Sequence, residues 1–254
     1  MKYKQNVIFI LAVVLLAGCN TAQPGSQTNF HSLFPFVFSA LLVILFVLLA
    51  IHTNIVRDEV NNCEEFNDNA QKIKDKKKKQ FINTDNPYSL AKVQLGLWTV
   101  IIASSYIYLD MLKGDCSWIP INKTALVLMG FGAGTAAAST IMDKREIEDN
   151  RPRHQNTPSQ GFFNDILSDD NGISIHRFQH LVWNCIAMIL YLYKVSGVDR
   201  GCILPELSDT LLALTGISSA TYLVLRSKEN DPAVSPGGAV SENTTPAATL
   251  QKSE

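Results

Sequence analysis

The sequence predicts an all-α membrane protein: one leading transmembrane helix followed by two tandem hairpins of paired spans, five spans in the mature chain. Three observations predict it. The stretch Ser89-Leu-Ala-Lys-Val-Gln94-Leu-Gly-Leu-Trp98 returns 85 residues later as Ser174-Ile-His-Arg-Phe-Gln179-His-Leu-Val-Trp183, and each copy contains two long apolar runs. Apolar runs are nearly free of charge, and the connecting segments carry almost all of it. Basic residues concentrate in alternate connections, against Lys113 and Arg200 in the others, as insertion from one side of a bilayer favours. The average values, a net charge of -1 and 18% charged residues, conceal this partition.

The first element is a short leader. Lys2 and Lys4 form a basic start, and Val7 to Leu16 is an apolar stretch too short to span about 30 Å of hydrocarbon. It ends in Leu16-Ala17-Gly18-Cys19, which resembles the lipobox of a bacterial lipoprotein signal. That resemblance implies removal of residues 1–18, lipidation at Cys19, and a lipidated segment over 19–32 outside the cytoplasm. An uncleaved anchor with an incidental cysteine is the plainer reading.

Leu33 to Ile51 is charge-free and long enough for one crossing, giving a first helix within 33–53. A polar and basic cytoplasmic loop follows at 54–88. The first hairpin occupies 89–142 and a second cytoplasmic loop 143–173. The second hairpin occupies 174–226, and a Pro-, Gly-, Ser- and Thr-rich disordered cytoplasmic tail runs from 227 to 254. Arg57, Lys72, Lys74, Lys76, Lys77, Lys78, Lys79, Lys144, Arg145, Arg151 and Arg153 all fall in the segments this order makes cytoplasmic. The run Lys76–Lys79 serves that topology, and it can also hold anionic lipid headgroups. Phe162-Phe163 and Ile166-Leu167 are spaced for one face of a short interfacial helix. Each hairpin has an even number of spans, so both copies point the same way, related by an axis along the membrane normal. The chain belongs in a bacterial inner membrane, with its mature N-terminus outside and its C-terminus in the cytoplasm.

Ser89 and Ser174 are N-cap candidates after Asp/Asn turns. Gln94 and Gln179 lie deeper in the spans than Lys92 and Arg177, two residues further along. An amide in hydrocarbon wants a partner, and Thr135 and Thr221 lie at similar depth on the returning helices. The expectation is a polar clamp in each hairpin, with a substrate-binding pair of glutamines as the sharper alternative. Trp98 and Trp183 follow on the same faces as the glutamines. Gly130 and Gly134 make a small-xxx-small step that Gly216 and Ala220 repeat, so these returning helices should form the centre by close packing; the alternative is a narrow cleft.

Cys116 and Cys202 stand at equivalent points of the two outer turns and are expected to form a disulfide; two free thiols or an intermolecular bridge are the alternatives. His176 and His180 share a helical face and are weak metal candidates; interfacial histidine is the plainer reading, and no metal or other cofactor is expected.

The pattern Q-x-x-x-W in the first helix of each hairpin, with Gly216-Ile-Ser-Ser-Ala-Thr-Tyr222 in the last, is similar to uncharacterised bacterial inner-membrane proteins with a duplicated two-helix hairpin. The similarity spans about Asp85 to Leu225 and carries no functional residues with it. The sequence contains no H-E-x-x-H, G-x-S-x-G or Walker loop, and charged residues stand only at span ends. The expectation is a non-enzymatic scaffold or subunit of a membrane complex. Partners would be the bilayer, another copy of the chain or an unknown membrane protein, and not nucleic acid. A small oligomeric channel or transporter without proton coupling is the alternative.

Overall fold

The computed structural model describes residues 30–77, 85–112, 120–151, 154–169, 172–198 and 203–229. Cys19, Cys116, Cys202, Lys78 and Lys79 lie outside the described residues, as does the leader. The described chain is mostly helical. Its elements are α1 (Phe30–His52), α2 (Cys63–Lys77), α3 (Leu90–Leu112), α4 (Lys123–Glu148), a 3-10 turn at His154–Asn156, α5 (Phe162–Leu167), a two-residue hairpin of β1 (Ser168–Asp169) and β2 (Gly172–Ile173), α6 (Ile175–Ser196) and α7 (Asp209–Glu229).

Three segments, Phe34–His52, Leu90–Met111 and Lys123–Glu148, are long and apolar enough to cross a membrane. The chain is thus a membrane-embedded helical protein. Helices α6 and α7, of 22 and 21 residues, have comparable length but fall short of these three in apolarity over a membrane-length window. The cause is the set of polar side chains they turn inward, among them Arg177, His180, Asn184 and Arg226.

Four helices close a ring in the order α3, α4, α7, α6, with α6 returning to α3. Within each sequential pair the helices are antiparallel: Leu95 lies against Gly132 while Leu109 packs with Ala125. Between pairs they are parallel. Phe131 meets Gly216 and Asp143 meets Arg226, both in ascending order along α4 and α7. Trp98, Leu128, Ala187, Tyr191 and Leu212 form the apolar core shared by all four helices. Helix α1 leans mainly on α3. Phe36 meets Tyr108 edge-on at 5.6 Å, and the Phe46 ring occupies the space where a side chain on Gly96 would stand. Most of its remaining apolar side chains face outward, as lipid contact favours.

The two ends of the bundle are built differently. At one end Asn122 caps α4 by accepting from the Ala125 N–H at 3.0 Å, and its amide donates to Leu204 O at 2.8 Å and Pro205 O at 3.2 Å. One side chain thereby joins both connecting turns. The opposite end carries the soluble elements and is called here the charged end. Residues 53–58 return along the start of α3: Ser89 N–H donates to Val56 O and Asp58 N–H to Pro87 O, both at 2.9 Å. Asn156 fastens α2, donating to Glu65 Oε2 at 2.8 Å and accepting from Asn69 Nδ2 at 3.0 Å.

Several boundaries differ from expectation. Helix α4 continues to Glu148, past 142, because Asp143 and Glu146 are buried on its bundle face. It stops where Asn150 enters the left-handed region at φ 49, with Asn150 N–H bonded to Ile147 O and Arg151 N–H to Glu146 O. Helix α7 continues to Glu229, past 226, because Glu229 has a buried partner. The loop at 54–88 contains a helix. The short helix at Phe162 is present, but Ile166 packs inside the protein with Leu90 and Tyr222, and only Phe163 projects freely.

Candidate functional site: a buried polar seam

The seam between α3 and α6 is polar because each helix presents one polar stripe to the interior. Gln94 and Trp98 are one turn apart on α3. Arg177, His180 and Asn184 are spaced three and four apart on α6, and Ser218, Tyr222 and Arg226 four apart on α7. Gln94, His180 and Asn184 are buried. Gln94 Nε2 donates to Asn184 Oδ1 at 2.7 Å, Trp98 Nε1 donates to the same oxygen at 3.3 Å, and Asn184 Nδ2 donates to His180 O at 2.8 Å.

His180 Nε2 meets Gln94 Oε1, an oxygen that can only accept, so this nitrogen carries the proton. Nδ1 then accepts, facing Asn184 Nδ2 and Ser218 Oγ, each at 3.4 Å. The assignment follows from partner chemistry and makes His180 a neutral imidazole. Its ring lies parallel to Tyr222, centroids 5.1 Å apart and planes 6° from coplanar.

Tyr222 links this cluster to the charged end. Its hydroxyl accepts from Arg226 Nη1 at 2.8 Å, and its ring faces the Arg177 guanidinium at 5.8 Å. Arg226 Nη2 pairs with Asp143 Oδ1 at 2.9 Å and with Asp58 Oδ2 at 3.4 Å. Arg177 grips Glu229 with two nitrogens, and His176 Nε2 stands 3.0 Å from Glu229 Oε1. Such pairs hold because each charge is met by hydrogen bonds as well as by an opposite charge. A connected polar chain therefore runs from Trp98 to Asp58 and Glu229.

The expected clamps within each hairpin are not what forms. Gln94 bonds across to α6, and Thr135 Oγ1 donates to Phe131 O of its own helix at 2.7 Å. Gln179, the counterpart of Gln94, is exposed, and Thr221 is half-buried. The small-residue helices are not equivalent either. A side chain on Gly216 would meet the Phe131 ring, whereas one on Gly130 or Gly134 would meet nothing within 4 Å, and Ala220 is exposed. Gly130 and Gly134 thus line an outer face, not the centre. Ser174 is the N-cap of α6 by backbone, yet its hydroxyl bonds the His176 ring at 2.6 Å in place of a capping N–H. Lys76 and Lys77 close α2.

Asp169, His176 and Glu229 bring three ligand-type atoms within 4.8 Å of one another. Arg177 already occupies both oxygens of Glu229, so an ion there would have to displace a buried guanidinium. His180 is fully enclosed by amide, hydroxyl and phenol groups and offers no open coordination position.

At the charged end, Asp165 gathers the soluble loops. It accepts from Ser159 Oγ at 2.6 Å, Gln160 N at 2.9 Å and Tyr88 N at 3.2 Å. Burial raises its pKa above the usual carboxylate value, and these hydrogen bonds only partly offset that. Asp165 lines a cavity of about 450 Å³ together with Asp58, Tyr88, Asn164 and Asp169.

Sequence reasoning missed Asn184, Tyr222, Arg226 and Glu229. One signal was present: the 86-residue offset that aligns the returning helices also places Asp143 on Glu229, an acid repeated at the end of each. No family model, no curated protein and no solved structure matches this chain.

Proposed function

We propose that this chain is a non-enzymatic integral membrane lipoprotein of the bacterial envelope, acting as a scaffold or a subunit of a membrane complex. One observation carries the reading. The polar side chains at the heart of the bundle bond to one another, while small and apolar faces of α1, α4, α6 and α7 are turned outward. A path for solute needs polar groups that exchange partners with the passenger; a scaffold needs a rigid interior and an adhesive exterior.

In this proposal α6 and α7 also span the bilayer, giving five crossings, and the pairs α3–α4 and α6–α7 are tandem copies. The parallel packing of the two pairs supports that. The proposal includes lipidation at Cys19 and kinship with uncharacterised bacterial inner-membrane proteins carrying a duplicated hairpin. The charged end faces the cytoplasm, where the basic residues of 57–79 and 144–153 collect.

The test is solute and ion flux in vesicles reconstituted with the purified protein, with its native mass recorded from detergent. The expected result is no flux above empty vesicles. A flux abolished by Gln94→Leu would defeat the scaffold reading and establish the channel.

A further inference from the structure

The seam between the two helix pairs has unlike sides. The α3–α4 pair contributes Gln94, Trp98 and Phe131; the α6–α7 pair contributes His180, Asn184 and Gly216. The sequence offsets place Gln179 on Gln94, Ile217 on Phe131, and Gly130 on Gly216. A twofold axis would give such counterparts the same surroundings. They differ throughout. Gln94 is buried and Gln179 exposed; Gly216 lies under the Phe131 ring while Gly130 faces open space; Ile217 is 60% exposed.

This is the pattern of stacking by translation. Each pair has a front and a back, and the chain makes one front-to-back contact inside itself. One front remains on α7, marked by Ile217, Ala220 and Val224. One back remains on α4, marked by Gly130, Ala133 and Ala137, beside the α1 helix that covers α3.

We propose that a second copy of this chain fills that position: α7 of one copy docks by its front against the back of α4 in the next, alongside α1. The contact repeats between molecules the α4–α7 seam each molecule already contains, with Ile217 over Gly130 as Phe131 lies over Gly216. Small residues on the receiving helix permit the close approach on which association in lipid depends. The union is head to tail, so each added copy leaves one front and one back free, and the product is a ring or a chain of copies. The inference rests on the tandem-pair and scaffold reading above.

The experiment places a photoreactive p-benzoylphenylalanine at Ile217 in tagged protein, co-expressed with untagged protein in its native membrane. The expected product joins two copies, with the attachment mapped to α4 around Gly130. Attachment to α7 of the other copy, to the chain's own residues before Phe30, or to lipid alone overturns the proposal. Gly130→Leu provides the second arm. A Cβ there has nothing within 4 Å among the described residues, so the thermal transition of the monomer is expected to stay in place while association weakens by about tenfold or more. Unchanged association overturns head-to-tail docking. Flux measured on the same preparations keeps the two readings apart: vesicles without flux and without cross-linked copies sink the docking alone, and vesicles with flux sink the scaffold.

Discussion

At the residue scale, the interior is decided by pairing rather than by apolarity. Arg226 is 2% exposed and shared between Asp143, Asp58 and the Tyr222 hydroxyl. Removing one member of a buried ion network leaves the others charged and unmatched, which costs about 3–5 kcal/mol. Arg226→Met should therefore lower the thermal midpoint in detergent far more than the paired replacement Arg226→Met with Asp143→Leu; equal losses would mean that the pair carries no mutual dependence. Gln94 offers a finer test. Its replacement by Leu strands Asn184 and His180 and is expected to cost about 1–2 kcal/mol. Gln179→Leu should fall within about 0.5 kcal/mol of the parent, as exposed substitutions do. Similar losses at both positions would contradict the unlike environments. The polarity of Gln94 was legible from the sequence, since an amide in an apolar run demands a partner. Its partner was not, because repetition suggested that both glutamines do the same thing, and only packing distinguishes the inner copy from the outer one. Tyr222 was visible as part of a motif, but nothing in a linear sequence shows that it would carry His180 on its face and Arg226 at its hydroxyl.

At the element scale, the helices were legible and their limits were not. Length and freedom from charge located α1, α3 and α4 closely, because hydrocarbon thickness sets a minimum run. The ends of α4 and α7 ran past the expected boundary because Asp143 and Glu229 look like surface charges until their arginines are found. Close approach makes a prediction for α1. A side chain at Gly96 would overlap the Phe46 ring, so Gly96→Leu must push α1 outward or turn the ring away. Overpacking of this kind costs about 1–3 kcal/mol, read as a lower unfolding midpoint; no change would mean α1 is not held there. The Asp165 hub makes another prediction. Its pKa is raised by burial, so the folded chain holds that proton more tightly than the unfolded chain does. Its contribution to stability is then full below the ordinary carboxylate pKa and is lost as pH rises through the folded-state value. Unfolding midpoints measured across mildly acid pH should decline with rising pH. Asp165→Asn should flatten that window while costing about 1–3 kcal/mol throughout, because an amide supplies fewer acceptors for Ser159, Gln160 and Tyr88. An unaltered slope would remove Asp165 as its source.

At the scale of the whole molecule, one asymmetry organises the rest: every soluble element of the described chain gathers at the end where Arg57, Arg177 and Arg226 lie. At the opposite end Asn122 ties the start of α4 to Leu204 and Pro205 before α7, with Lys123 and Asp209 paired at 2.9 Å on the surface. Basic residues near span ends resist translocation, so in the proposed topology the end rich in them stays on the side of synthesis. In that topology folding and insertion agree, because the segment held back is the same one that wraps Asp58 under Arg226 and fastens α2 to the 3-10 turn through Asn156. Cys63 is exposed at the start of α2, on that same end. In a variant retaining Cys63 as its one cysteine, a membrane-impermeant maleimide added to intact cells should leave the protein unlabelled, and permeabilisation should expose the thiol. Labelling of intact cells would invert the molecule, place the basic residues outside, and detach the charge bias from the fold it is argued to orient.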